Sequence, residues 1–218
     1  MKKHIVCFGD SNTHGYTSDP GDCADGGSRF NEDERWPCLL QRCLGEDCLV
    51  IEEGLNSRTT VFDDPLGDGL SGISYITPCL STHAPVDLLI IMLGTNDTKG
   101  RFAVSAACIS QGMARLVRKA MDTPCWGEKG PNILVIAPPP MPEGVYSGIF
   151  ADTMGEGCAE KSQQLAGYYA QQCELMGCHF ADAGSFGCEF NKIEYMHLTR
   201  KGHAVMAEKL AKIVPALL

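Results

Sequence analysis

The sequence predicts an α/β fold built on a parallel β-sheet. Three observations carry that expectation. Short apolar, β-branched runs alternate with longer segments of helical period. One of these runs, "DLLIIML" from Asp87 to Leu93, is apolar almost throughout, as a strand buried on both faces must be, whereas a half-exposed strand alternates. Finally, polar loops follow the strands, and open parallel sheets hold their ligands beyond the carboxyl ends of their strands.

The strands are expected at "HIVCF" near residue 4, "CLVIE" near 48, "DLLIIML" at 87, "NILVIA" at 132 and "CHFADA" at 178. A first helix opens at Pro37, a residue with no N–H to leave unpaired, and stops before Gly45. Further helices are expected over residues 103–121 and 157–176. The last runs from the N-cap Thr199 to residue 214, with Ala204, Val205, Ala207, Leu210, Ala211 and Val214 at three- and four-residue spacing. The segment "PPPMPEGVYSGIF" is too rich in proline and glycine for regular structure and reads as a long surface loop. No repeat or linker divides the chain, so residues 1–218 are expected to form one domain.

Composition removes several function classes. With 18 basic against 27 acidic residues, the net charge of −9 provides no basic surface to follow phosphates, which argues against nucleic-acid binding. No apolar run is long enough for a membrane helix, and "MKKHIVCFGD" lacks the apolar core of a signal peptide, so no membrane association and a cytoplasmic location are expected. The 12 cysteines include no C-x-x-C pair, which argues against a zinc site, at Cys38, Cys43 and Cys48 among others, and against a disulfide scaffold. Most are expected to be reduced thiols packed as small hydrophobes. Neither G-x-G-x-x-G nor a P-loop follows any strand, which argues against a nucleotide site.

Four polar loops open at one edge of the expected sheet, and together they hold the groups of a covalent serine mechanism. Ser11 lies on a tight strand-to-helix turn, where unpaired helix N–H groups meet developing negative charge. His197 can take and return its proton, because imidazole titrates near neutrality. Glu194, three residues earlier, can fix the ring's tautomer, with Asp182 after the fifth strand as the rival acid. Asn96 offers an amide to an oxyanion, and a backbone N–H of "EEGLNSRTT" can add another. Asp10 and Asp97 read as loop-fixing residues, His203 as structural, and His4, His83 and His179 as structural or solvated. A lone Gly-Asp-Ser is ordinarily a turn; the company of three further blocks makes Ser11 a nucleophile.

Gly9-Asp10-Ser11, residues 54–60, Gly94-Thr95-Asn96-Asp97 and Glu194-x-x-His197 resemble, in content and order, the four blocks of the SGNH, or GDSL-type, hydrolase superfamily. "EEGLNSRTT" and "DLLIIMLGTNDTK" are similar to its bacterial arylesterase and acyltransferase group. The resemblance implies a flavodoxin-like three-layer α/β/α sandwich with strand order 2-1-3-4-5, and a triad of Ser11, Glu194 and His197. It also implies an oxyanion hole from Ser11, Ser57 and Asn96, with a pocket formed by His14, Tyr16, Asn56, Tyr146, Ile149, Phe150 and Met196. Two departures stand out: Glu194 replaces the usual aspartate, and Ser57 stands where many relatives place glycine. The expected activity is hydrolysis of small-molecule, short-chain, acetyl-type esters through an acyl-serine, with acyl transfer to alcohols or peroxide, no metal and no cofactor, in a homo-oligomer. A carbohydrate acetylesterase and a non-catalytic binding module on the same fold are the alternatives.

Overall fold

A computed structural model describes residues 2–127 and 129–218. Five strands, β1 (Lys3–Gly9), β2 (Cys48–Gly54), β3 (Leu88–Met92), β4 (Ile133–Ala137) and β5 (His179–Asp182), form one parallel sheet in the order β2-β1-β3-β4-β5. This is the expected order. Between them run α1 (Ser11–His14), α2 (Trp36–Leu44), α3 (Gly72–Thr82), α4 (Ala106–Met121), α5 (Ala151–Met154) and α6 (Cys158–Met176), and α7 (Arg200–Ile213) follows β5.

Alternation along the strands distributes the core between two layers. Val6, Phe8, Leu89, Ile91 and Val135 pack on one face against Ile76 and Leu80 of α3, Met113 and Leu116 of α4, and Leu165 and Tyr169 of α6. Ile5, Cys7, Leu88, Ile90, Leu134 and Ile136 pack on the other against Trp36 and Leu40 of α2 and Met206 and Leu210 of α7. Every residue of β3 is buried, as its unbroken apolar run requires. The 12 cysteines are free, and Cys43 and Cys108 are exposed.

The structure corrects three sequence expectations. Helix α3 was not foreseen: Gly72, Pro78 and the β-branched Ile73, Ile76, Thr77 and Thr82 are all weak helix formers, and burial of Ile76, Cys79 and Leu80 overrides them. Helix α4 begins later than residue 103, at Ala106, where the Ser105 hydroxyl accepts the Cys108 N–H at 3.2 Å. The proline-rich segment is not merely a surface loop, because Met141 and Val145 join Met154, Cys158, Ala159 and Met196 in a third apolar cluster. Thr199 caps α7 as expected, accepting the Gly202 N–H at 3.0 Å.

His203, fully buried in α7, accepts the Trp36 N–H on Nδ1 at 3.2 Å and meets the Phe30 ring edge-on. Burial, aided by the charges of His197 and Arg35, drives its pKa down to about 3. Its folded pKa thus lies below the unfolded value, so its stabilising contribution is complete above pH 6.5 and is lost as pH falls toward 3. Buried Asp10 and Asp97, pushed up to about 6, act in the opposite sense and favour the fold on acidification. The stability advantage of the wild type over His203→Gln isolates the imidazole. It is expected to shrink below pH 6.5 by up to about 1.4 kcal/mol per pH unit, read from urea unfolding of both proteins.

Candidate active site

Strand register brings the polar loops together. Gly9 ends β1 between Gly54 of β2 and Met92 of β3, so the chain segments after all three strands leave from one rim. Helix α1 passes so close to β2 that a Cβ on Gly54 would lie 2.2 Å from the His14 nitrogen, and only glycine fits. Asp10 caps this helix by accepting the Asn12 N–H at 3.0 Å, and Ser11 is its first residue, where N–H groups lack intrahelical acceptors.

Across 186 residues of sequence, Ser11 Oγ and His197 Nε2 meet at 2.8 Å. Glu194 is fully buried, and its Oε2 stands 3.0 Å from His197 Nδ1. The approach is oblique, within ion-pair reach but off the direction of a good hydrogen bond. The same oxygen accepts the Met196 and His197 N–H groups, each at 3.2 Å, and Oε1 accepts the Ser18 hydroxyl at 3.0 Å. Glutamate's extra methylene is thus absorbed by a turn folded around the carboxylate, with Tyr195 between them at φ 60°. Asp182 is elsewhere: it accepts the Gly184 N–H at 2.8 Å and lines another groove with Pro138 and Ser162.

Asn96 is buried, and one N–H of its amide donates to the Arg58 carbonyl at 3.2 Å, leaving the other available. Asp97 fixes its loop by accepting both the N–H and the hydroxyl of Thr60. Ser57 has φ 65°, the left-handed backbone that glycine adopts freely and that costs another residue roughly 1–2 kcal/mol. The backbone geometry suited to glycine is therefore retained with a side chain in place. Arg58 guanidinium lies 4.2 Å over the Phe8 ring and donates to the Gly9 and Glu53 carbonyls, tying the ends of β1 and β2 to this loop.

A cavity of about 180 Å³ opens over these groups, lined by Ser11, Asn56, Ser57, Asn96 and His197, with Tyr16, Phe150, Met154 and Met196 as its apolar part. Of the residues expected in the pocket, Tyr16, Asn56, Phe150 and Met196 line it. His14, Tyr146 and Ile149 do not. The chain turns away at Gly15, carrying His14 toward Gly54; the Tyr146 hydroxyl donates to Glu160; and Ile149 is 63% exposed. Lys99, Thr153 and Met154 line the cavity without having been foreseen. Lys99 stands inside the quoted block "GTNDTK", but nothing in its spacing indicates that its side chain is buried beside Asp64. Also unforeseen is Asn12, whose amide donates to the Met196 carbonyl at 3.0 Å and accepts the Leu198 N–H at 2.9 Å.

Residues 7–205 match the sequence profile of the GDSL-like lipase/acylhydrolase family. The chain belongs to this family. This GDSL-like acylhydrolase is accordingly a carboxylic ester hydrolase, and solved structures agree across its whole length. It is 38% identical to the native aryl esterase of M. smegmatis, with a TM-score of 0.86 over 99% of this chain and 100% of that one. It is 34% identical to a carbohydrate acetylesterase from Sinorhizobium meliloti, with a TM-score of 0.85 over 100% of both chains. A carbohydrate acetylesterase family member from the same organism is 37% identical, with a TM-score of 0.87 over 99% of both. Curated protein sequences give no match. Among the described residues, no helix of the acylhydrolase is long and apolar enough to cross a membrane.

Proposed function

We propose that the protein hydrolyses esters of short acyl groups, acetyl above all, through an acyl-Ser11 intermediate. The observation that carries this reading is the 2.8 Å contact between Ser11 Oγ and His197 Nε2 at the floor of a small, largely apolar cavity. His197 takes the Ser11 proton as Oγ attacks the ester carbonyl, then returns it to the departing alcohol; the Glu194 carboxylate stabilises the imidazolium between these steps. The Ser11 and Ser57 N–H groups and the Asn96 amide receive the oxyanion. Water, activated by His197, then releases the acid. An alcohol or peroxide entering the same position would be acylated instead.

A cavity of about 180 Å³ is smaller than the roughly 300–1,000 Å³ of sites for drug-sized ligands, which favours short acyl chains. The likeness to a carbohydrate acetylesterase supports a second reading in which the alcohol is a sugar. Acetate release from acetylated xylooligosaccharide far faster than from p-nitrophenyl acetate would decide for it. The common mechanism is tested by a fluorophosphonate probe: stoichiometric labelling at Ser11 is expected, and folded protein that stays unlabelled would overturn it. Asn96→Ala is expected to lower turnover of p-nitrophenyl acetate by roughly 10²- to 10³-fold, the usual effect of removing one oxyanion donor. A loss under threefold would mean the amide serves only the Arg58 carbonyl.

A further inference from the structure

Glu53, Cys79 and His83 take no part in the chemistry described above. Glu53 is the penultimate residue of edge strand β2; Cys79 lies in the last turn of α3, and His83 caps that helix. Their four-residue separation puts Cys79 and His83 on one side of the helix, one above the other. Sulfur, ring nitrogen and carboxylate oxygen all lie within 4.8 Å of one another. Glu53 and His83 open to solvent, with side chains 17% and 23% exposed, while Cys79 forms a buried floor.

We propose that Glu53, Cys79 and His83 form a binding site for a zinc-class divalent ion, with water completing the coordination. Thiolate, imidazole and carboxylate together suit zinc, or cobalt in its place, rather than oxygen-seeking magnesium or calcium. Bonds of about 2.0–2.3 Å around a tetrahedral ion set ligand atoms roughly 3.3–3.8 Å apart. His83 Nε2 and Glu53 Oε1 now stand at 2.7 Å, so the ion must part them by roughly 0.6–0.8 Å, a small rotation for two side chains near the surface.

Burial, and after it the Glu53 charge, pushes the Cys79 thiol up to about 12, so without a metal the sulfur keeps its proton. On binding, the S–H bond breaks, its proton passes to solvent and the sulfur lone pair forms the metal bond; nothing is oxidised or reduced. The Arg58 guanidinium, 4.2 Å from the Phe8 ring centre and 5.4 Å from that of Tyr75, supplies a positive charge that favours the thiolate. Arg58 also donates to the Gly9 carbonyl, so the ion would stand one side chain away from the strand end that carries Ser11.

Titration of the EDTA-treated full-length protein with cobalt(II), followed by absorbance, tests the site. A single ion per chain is expected, with a thiolate-to-cobalt charge-transfer band in the near ultraviolet that added zinc abolishes. Cys79→Ser removes the band and His83→Ala weakens cobalt binding by at least about tenfold, whereas Cys173→Ser, at another buried thiol, leaves both unchanged. Absence of the band in the wild type, or its persistence in folded Cys79→Ser, overturns the proposal. If Cys79→Ser does not fold, His83→Ala at the rim decides, and an unchanged cobalt affinity there overturns it equally. Labelling of Ser11 by a fluorophosphonate is a separate readout, so the ester chemistry and the metal site stand or fall independently.

Discussion

Ser11→Ala is expected to reduce turnover of p-nitrophenyl acetate on the order of 10⁶-fold while the protein keeps its fold. The expectation rests on how little else the hydroxyl does. Its one hydrogen bond among the described residues is to His197, and the turn around it is held by backbone groups: the Gly15 and Tyr16 N–H groups both donate to the Ser11 carbonyl, at 2.9 and 3.0 Å. Removing one oxygen therefore deletes the nucleophile and leaves α1 intact. Initial rates of purified protein, with a thermal melt beside them, make the comparison. A variant retaining activity within tenfold of the wild type would end the acyl-serine account.

Glu194→Ala should follow, with kcat down by about 10⁴-fold, against a change of a few-fold for Asp182→Ala. Glu194 stands 3.0 Å from His197 Nδ1, whereas Asp182 is engaged with the Gly184 N–H. Because Glu194 also holds the N–H groups of Met196 and His197, part of its loss could come from a loosened turn, and the rate alone does not separate the two effects. Glu194→Gln does, because its amide oxygen still accepts those N–H groups while the charge is gone. A kcat as low in folded Glu194→Gln as in Glu194→Ala assigns the loss to the carboxylate charge. Wild-type turnover in Glu194→Gln would reduce Glu194 to a turn-forming residue.

The strands and the clustered polar groups were legible in the sequence for different reasons. An unbroken apolar run such as Leu88–Met92 has few alternatives to a buried strand, and its length excludes most of those. Ser11, Asn96 and His197 were legible because each sits in a short polar block, and the residue types of the blocks together suit one chemistry. Helix α3 was hidden because Gly72 and Pro78 speak locally against what the core enforces, and with it was hidden the helical pairing of Cys79 and His83. The pocket was half legible: proximity to Ser11 in sequence does not bring His14 into the cavity once the chain turns at Gly15, and Met154 enters it through a short helix just past the proline-rich segment read as irregular. A close approach of that segment to the base-bearing turn shows at Gly148, where a Cβ would lie 2.7 Å from the Glu194 Cα, a constraint no spacing rule expresses.

The two-point grip of Asn12 on Met196 and Leu198 has a temporal consequence. During synthesis Ser11 leaves the ribosome 186 residues before His197, and the backbone groups that Asn12 grasps flank that histidine. On the proposed mechanism a nascent chain stays inert toward esters, even with its strands in place, until the segment around residue 198 has left the exit tunnel and docked. Catalytic onset then times that docking.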